Sequence, residues 1–323
     1  IKKLMIGMKM KKIKNHYEAL VQGLFLAITA PREDQSKKAL RVALSIAYDM
    51  CKDEEERNAI LEKAKREVEL MVLVDENEEK AVIEVLRGQH LSGFSARVGD
   101  RFLGGEKVRE FEESFANYIG TEHALGLGNA TQGLHLCLAA LGIGIGDEVI
   151  VTPYSWISTA SCILMQNAIP IFCDIEEHTL GIDPNKIEKL ITKRTKAIIC
   201  VHMFGYPCKI SEIKSIAKKH KLALIEDASH AHGAELNGKK IGTFGDISAF
   251  SLHPLKNMRV FGDGGMLTSS DEEIIQFIAK MKNHGLVNRE QCDFWGFNCR
   301  LDEVHAAMLN VQLDGFNELT NLT

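Results

Sequence analysis

No apolar run in this chain approaches the roughly 18 residues that a membrane-crossing helix requires, so the sequence predicts no membrane partner. An excess of positive charge is missing as well: 39 lysines and arginines stand against 44 aspartates and glutamates, a formal net charge of −5. A nucleic-acid binder usually carries a basic patch or stripe, and that partner class finds no support. C-x-x-C pairs are absent. The eight cysteines (Cys51, Cys137, Cys162, Cys173, Cys200, Cys208, Cys292 and Cys299) are scattered, most of them in apolar runs such as "KAIIC" and "IPIFCD". There a free cysteine behaves as a small hydrophobe. This usage argues against a disulfide framework and for a reducing, cytoplasmic compartment. Internal repeats and low-complexity segments are not found.

The basic start "IKKLMIGMKMKKIKNHYEALVQGLFLAITA" imitates a secretory leader. Gln22 interrupts its apolar patch, however, and Leu20, Leu24, Ala27 and Ile28 recur at helical spacing, which favours a helix over a leader. Because the first residue is Ile1 and not methionine, the sequence reads as a fragment or a processed chain. Residues 1–72 are expected to form a helical N-terminal extension. Pro31 and the "CKDEEERN" run separate two or three amphipathic helices within 16–70, to which no chemistry attaches.

From about Leu73 the texture changes, and 73–323 read as the second domain. Helical patterns in "DENEEKAVIEVLRGQ" and "EKVREFEESFANYIG" flank a glycine-punctuated loop. Seven apolar runs then alternate with helical ones: "HALGLG", "EVIVTP", "IPIFCDI", "AIICVHM", "LALIED", "ISAFSLH" and "GGMLTSS". Such alternation predicts an α/β fold, a mostly parallel sheet covered by helices on both faces. Ligands of these sheets collect at the carboxyl ends of the strands.

Four pieces converge there. In "GLGNATQGLHL" a strand ends near Gly128, and Thr131 and Gln132 open a helix whose bare N–H groups can seat a phosphate. The spacing G-x-G-x-x-x-x-G is not the dinucleotide fingerprint, which leaves an NAD-dependent oxidoreductase a distant alternative. In "TPYSWIST", Trp156 either presents a ring for stacking or is an ordinary core aromatic. Asp227 ends the strand of "LALIEDASHAHG", where a carboxylate needs a cationic partner: a metal, a basic side chain or a protonated ring nitrogen. His230 and His232 raise zinc, but no second ligand pair with zinc-finger or H-E-x-x-H spacing exists, so no metal is assigned. Lys256, in "FSLHPLKNMRVFGDGG", lies 29 positions after Asp227 and past one more strand. A lysine that is partly desolvated loses proton affinity and attacks carbonyls. A stacking ring, a phosphate, a ring nitrogen and an aldehyde are together the features of pyridoxal 5′-phosphate.

The ordered series "GGEKVREFEESFANYIG", "GNATQGLHLCLAALGIGIGDEVIVTPYSW", "KAIICVHMFGYPC", "IEDASHAHGAELNGKKIGTFGDISAFSLHPLKN", "GDGGMLTS", "KNHG" and "GFNCRLDEVHAAM" resembles the DegT/DnrJ/EryC1/StrS aminotransferases. The resemblance covers residues 73–316, about three quarters of the chain. It implies the fold-type-I architecture of pyridoxal-phosphate enzymes and the transfer of an amino group, from glutamate, to a nucleotide-linked keto-sugar. It places Lys256 as the imine-forming lysine and Asp227 as the partner of the pyridine nitrogen. Thr131, Gln132 and Ser251 fall at phosphate positions, Trp156 at the stacking position and His230 near the ring hydroxyl. Asn298 matches an asparagine that reaches the phosphate of a second subunit, which implies a homodimer with shared sites.

Departures from the family pattern are informative. Asn129 stands in the phosphate loop where a serine-containing run is usual, and "GDGG" replaces Gly-Glu-Gly-Gly. The sequence stops at Thr323, so the small C-terminal domain of the family is expected to be largely absent. Two other readings follow: a non-catalytic or truncated fold-type-I scaffold, and a sugar dehydratase. Dehydratase members resembling this chain carry histidine where Lys256 stands.

Overall fold

The computed structural model describes residues 43–44, 47, 58–62, 74–94 and 104–320. By its internal contacts the chain divides into two units, Ile1–Glu76 and Asn77–Thr323. In the first, the described residues 43–44, 47 and 58–62 are helical, with Ala43 and Ala47 buried four positions apart. The amphipathic helices expected over 16–70 otherwise lie outside the described residues, as does most of the loop between 90 and 105.

The second unit is built on seven strands: β1 (His123–Leu127), β2 (Glu148–Val151), β3 (Ile169–Phe172), β4 (Thr195–Val201), β5 (Ala223–Asp227), β8 (Ile247–Ser251) and β9 (Gly265–Ser269). These are the seven apolar runs of the sequence. Their order across the sheet is β1-β9-β8-β5-β4-β2-β3. Pairing is parallel from β8 to β3, while β9 runs antiparallel to both of its neighbours. The carboxyl ends of β1, β8, β5, β4, β2 and β3 therefore share one edge, and β9 starts there, with Gly265 paired to both Leu127 and Ser251. A two-strand hairpin, β6 (Glu235–Leu236) and β7 (Lys239–Lys240), stands apart. Its turn is Asn237-Gly238, both at positive φ (53° and 72°), the pair of residues a tight hairpin favours.

Helices cover both faces, as strands buried on both sides demand. Helices α3 (Ala130–Ala140), α4 (Ser158–Met165) and α7 (Glu272–Met281) lie over Val149, Val151, Ile199, Ile225, Ala249 and Leu267. On the opposite face, α5 (Pro184–Ile187) and α6 (Ile210–His220) cover Ile150, Ile198 and Leu224. There too α2 (Glu106–Ile119) sets Val108, Phe111, Phe115 and Ile119 at helical spacing against Phe250 and Met266. Gly120, at φ 92°, closes α2 in the left-handed conformation expected of it, its N–H 2.8 Å from the Ala116 carbonyl. Helix α1 (Glu76–Gly88) matches the helical pattern ahead of the loop.

One helix was not anticipated. α8 (Glu303–Thr320) packs on α2 through Ala306, Leu309 and Phe316. Four consecutive residues, Ala306 to Leu309, are buried, so its sequence shows no clean polar stripe by which a helix would be recognised. Among the described residues no helix is long and apolar enough to cross a membrane.

Candidate active site at the carboxyl edge of the sheet

Asp227 is the last residue of β5, only 5% exposed, and its odd position turns it to the face covered by α3 and α4, the side of Ile225. The carboxylate accepts from Thr159 Oγ1 at 2.8 Å and from the Ser229 amide at 3.2 Å. Both donors are neutral, and among the described residues no basic side chain lies within ion-pair distance. A buried carboxylate so placed retains an unmet demand for positive charge. Glu226, one residue earlier, points to the other face. It is fully buried and accepts from His202 Nε2 (3.0 Å), Ser248 Oγ (3.0 Å) and the amides of Gly242, Phe244 and Gly245. Burial alone would raise its pKa, but His202 and the amides bring it below the ordinary range.

Lys256 lies in the turn after β8, half-buried, its amide 2.8 Å from the His253 carbonyl. Burial lowers the pKa of its amine, and the Asp227 charge opposes that shift. The two groups are therefore near enough for the carboxylate's charge to act on the amine. His230 senses both: burial and then Lys256 lower its pKa, while Asp227 raises it. The lysine turn is held from α8. Gln312 Oε1 accepts from the Arg259 amide at 3.0 Å, and its Nε2 donates to the Arg259 carbonyl at 2.9 Å and to Glu78 at 2.6 Å.

The residues expected to seat a phosphate, Thr131 and Gln132, fall at the start of α3. Asn129 is the N-cap, its side chain accepting from the Gln132 amide at 2.9 Å, and its carbonyl accepts from Gly133. Asparagine caps about as well as serine, which accounts for its place in the loop. The amides of Ala130 and Thr131 remain for a ligand, as first-turn amides do. A Cβ on Gly265 would lie 2.5 Å from the Asn129 carbonyl carbon, so β9 can begin against this loop only with glycine. Gln132 Oε1 is buried without a partner. Thr131 Oγ1 donates to Ser158 Oγ at 2.8 Å, which ties the seat to α4 and so to Thr159. Ser251 closes β8, half-buried, beside Gly265.

Trp156 is 71% exposed at this edge, which rules out the core-aromatic alternative. His230 Nδ1 accepts from the Phe204 amide at 3.4 Å, and its ring stacks on Phe204 with 6.1 Å between centroids. Phe204 adopts φ 55°, a left-handed conformation costly for a bulky residue. Asn298 is exposed and paired with Asn283 through a single β-bridge, on the segment whose Arg300 carbonyl approaches Gly128. Sequence reasoning missed Ser158, Thr159, Phe204 and Gln312. The hydroxyl pair following Trp156 was the one available signal.

Cys200, His202 and Cys208 form a separate buried group, with ligand atoms within 4.8 Å of one another. His202 spends Nε2 on Glu226, and its Nδ1 accepts from the Cys208 amide at 3.2 Å, so the ring offers no free lone pair to a metal.

A family model described as the DegT/DnrJ/EryC1/StrS aminotransferase family matches residues 74–322. A "pleiotropic regulatory protein" of Geobacillus stearothermophilus is 39% identical over 220 residues, 68% of this chain and 59% of the relative. A UDP-N-acetyl-3-dehydro-alpha-D-glucosamine 3-aminotransferase of Acidithiobacillus ferrooxidans is 40% identical over 228 residues, 70% of this chain and 62% of the relative. Among solved structures, S. venezuelae DesV in complex with a ketimine intermediate superimposes with a TM-score of 0.69 at 34% identity, covering 75% of this chain and 62% of that one. The chain thus spans about three fifths of the length of these proteins.

Proposed function

We propose that this chain, which belongs to the DegT/DnrJ/EryC1/StrS aminotransferase family, carries the pyridoxal-phosphate site of an aminotransferase that moves an amino group from glutamate to a nucleotide-linked keto-sugar. The observation that carries this reading is the pairing at one sheet edge of a buried, cation-less Asp227 with a desolvated Lys256 that feels its charge. The sugar class draws support from the 3-aminotransferase relative, whose name specifies a UDP-linked sugar.

When bound, pyridoxal phosphate supplies an aldehyde that condenses with amines and a pyridine ring that takes up electrons. Asp227 would hold the proton on the ring nitrogen, and Thr159, bonded to its Oδ2, would keep the carboxylate turned towards it. The α3 amides, Thr131 and Ser251 would hold the phosphate, and Gln132 would close that seat. Trp156 would cover one ring face, and His230, steadied by Phe204, would stand by the ring hydroxyl. Lys256 would be the amine that holds the aldehyde, and as a free amine it would carry the substrate proton as base and acid. Its burial favours the free amine needed for each of these steps. We place Asn298 at the phosphate of a second copy, in a homodimer with shared sites. The exposed Tyr154, Trp156, Phe204, Tyr206 and Leu255 around this edge fit such a covering surface.

The relative with a regulatory name favours a second reading, a cofactor-binding domain without turnover. Titration of the purified chain with pyridoxal phosphate, then glutamate, separates the two. The aminotransferase reading predicts a new visible absorption band that glutamate discharges, and Lys256→Ala without the band. A band indifferent to glutamate supports the regulatory reading. No band in the wild-type chain contradicts both.

A further inference from the structure

Lys282 is fully buried beyond the end of α7, a costly position for an ammonium group. Its Nζ lies 2.8 Å from Glu112 Oε1, on α2, and 3.0 Å from the carbonyl oxygen of Gly126. The same Glu112 oxygen accepts from the Gly126 amide at 2.7 Å. One ion pair thus takes both backbone polar groups of a single residue, Gly126. The position is telling, because β1 is an edge strand and the outward N–H and C=O of Gly126 have no neighbouring strand among the described residues to pair with. Gly126 is also pressed from the side, since a Cβ there would lie 2.8 Å from Leu301 Cδ2. The Phe94 ring sits 5.4 Å from Nζ, and the Cys299 amide fixes the lysine's own carbonyl at 2.9 Å.

Three residues after Gly126 comes Asn129, the cap of the phosphate seat. We propose that Lys282, through Glu112 and Gly126, is a positioning residue for that seat: the pair sets the end of β1 and so aims the Ala130 and Thr131 amides. This rests on the cofactor reading above. A hydrophobic contact would fill the same space, but only a donor and an acceptor fixed together can hold both the N–H and the C=O of this edge residue. Amides that must meet a phosphate tolerate displacements of only about half an ångström.

The test compares pyridoxal phosphate with pyridoxal, which lacks the phosphate, on folded protein. For Lys282→Met we expect affinity for pyridoxal phosphate to fall on the order of tenfold or more, with affinity for pyridoxal changed less than about twofold. Lys282→Arg should recover most of the loss. If Lys282→Met does not fold, the double variant Glu112→Gln with Lys282→Met removes both charges, keeps an acceptor for the Gly126 amide, and should show the same selective loss. Equal losses for the two ligands, or no loss in a folded variant, overturn the inference alone. A wild-type chain that binds neither ligand overturns the cofactor reading, and this inference with it.

Discussion

His232 shows what a single side chain costs in this site. It is 4% exposed, and its pKa falls from 6.5 to about 3, through burial first and then the charges of Lys256 and His230. The folded chain therefore keeps the ring neutral at pH values where the unfolded chain protonates it. Stability from this residue is complete above about pH 6.5 and is lost as the pH falls towards 3. His230, also depressed, acts with the same sign. Urea unfolding between pH 7.5 and 5 should show a falling midpoint, and His232→Phe should flatten that slope without abolishing it. An unchanged slope would contradict the burial argument. The sequence marked both histidines as zinc candidates because residue type and proximity are all it displays. The structure packs His232 against the Phe250 ring and stacks His230 on Phe204.

Strand β5 ends in two carboxylates with opposite fates. Alternation sends Glu226 among five donors and Asp227 to the opposite face, against Thr159. Glu226→Gln would present an amide N–H₂ to donors already in place, and should cost about 1–3 kcal/mol in chemical denaturation. A change below a few tenths would mean that the cluster is not held by charge. Most of the strands were legible because burial on both faces leaves unbroken apolar runs, whereas the edge strand β3, with Ile169 and Phe172 exposed, was legible from its apolar composition alone. The same burial hid α8, whose polar stripe is missing, and with it Gln312, which reaches from that helix to the Arg259 backbone and steadies the lysine turn. Asn129 looked anomalous as a letter, yet as an N-cap it does what serine would do.

Across the whole molecule, one edge gathers Thr131, Gln132, Trp156, Asp227, His230, Ser251 and Lys256 although they span more than a hundred positions of sequence. The gathering follows from the topology, since six strands deliver their carboxyl ends to the same side and β9 begins between two of them. Parallel order and strand ends were readable from the alternation of patterns. Not readable were the contacts between strand ends, such as Thr159 to Asp227 or Lys282 to Gly126, because they join segments whose spacing in sequence carries no signal. The central claim is that Lys256 is the amine that holds the cofactor carbonyl. It is tested most directly by incubating the chain with pyridoxal phosphate, reducing with borohydride, and mapping the labelled peptide by mass spectrometry. The account predicts a phosphopyridoxyl group on Lys256 alone, lost in Lys256→Ala. Label on another lysine, or none on Lys256, would contradict it.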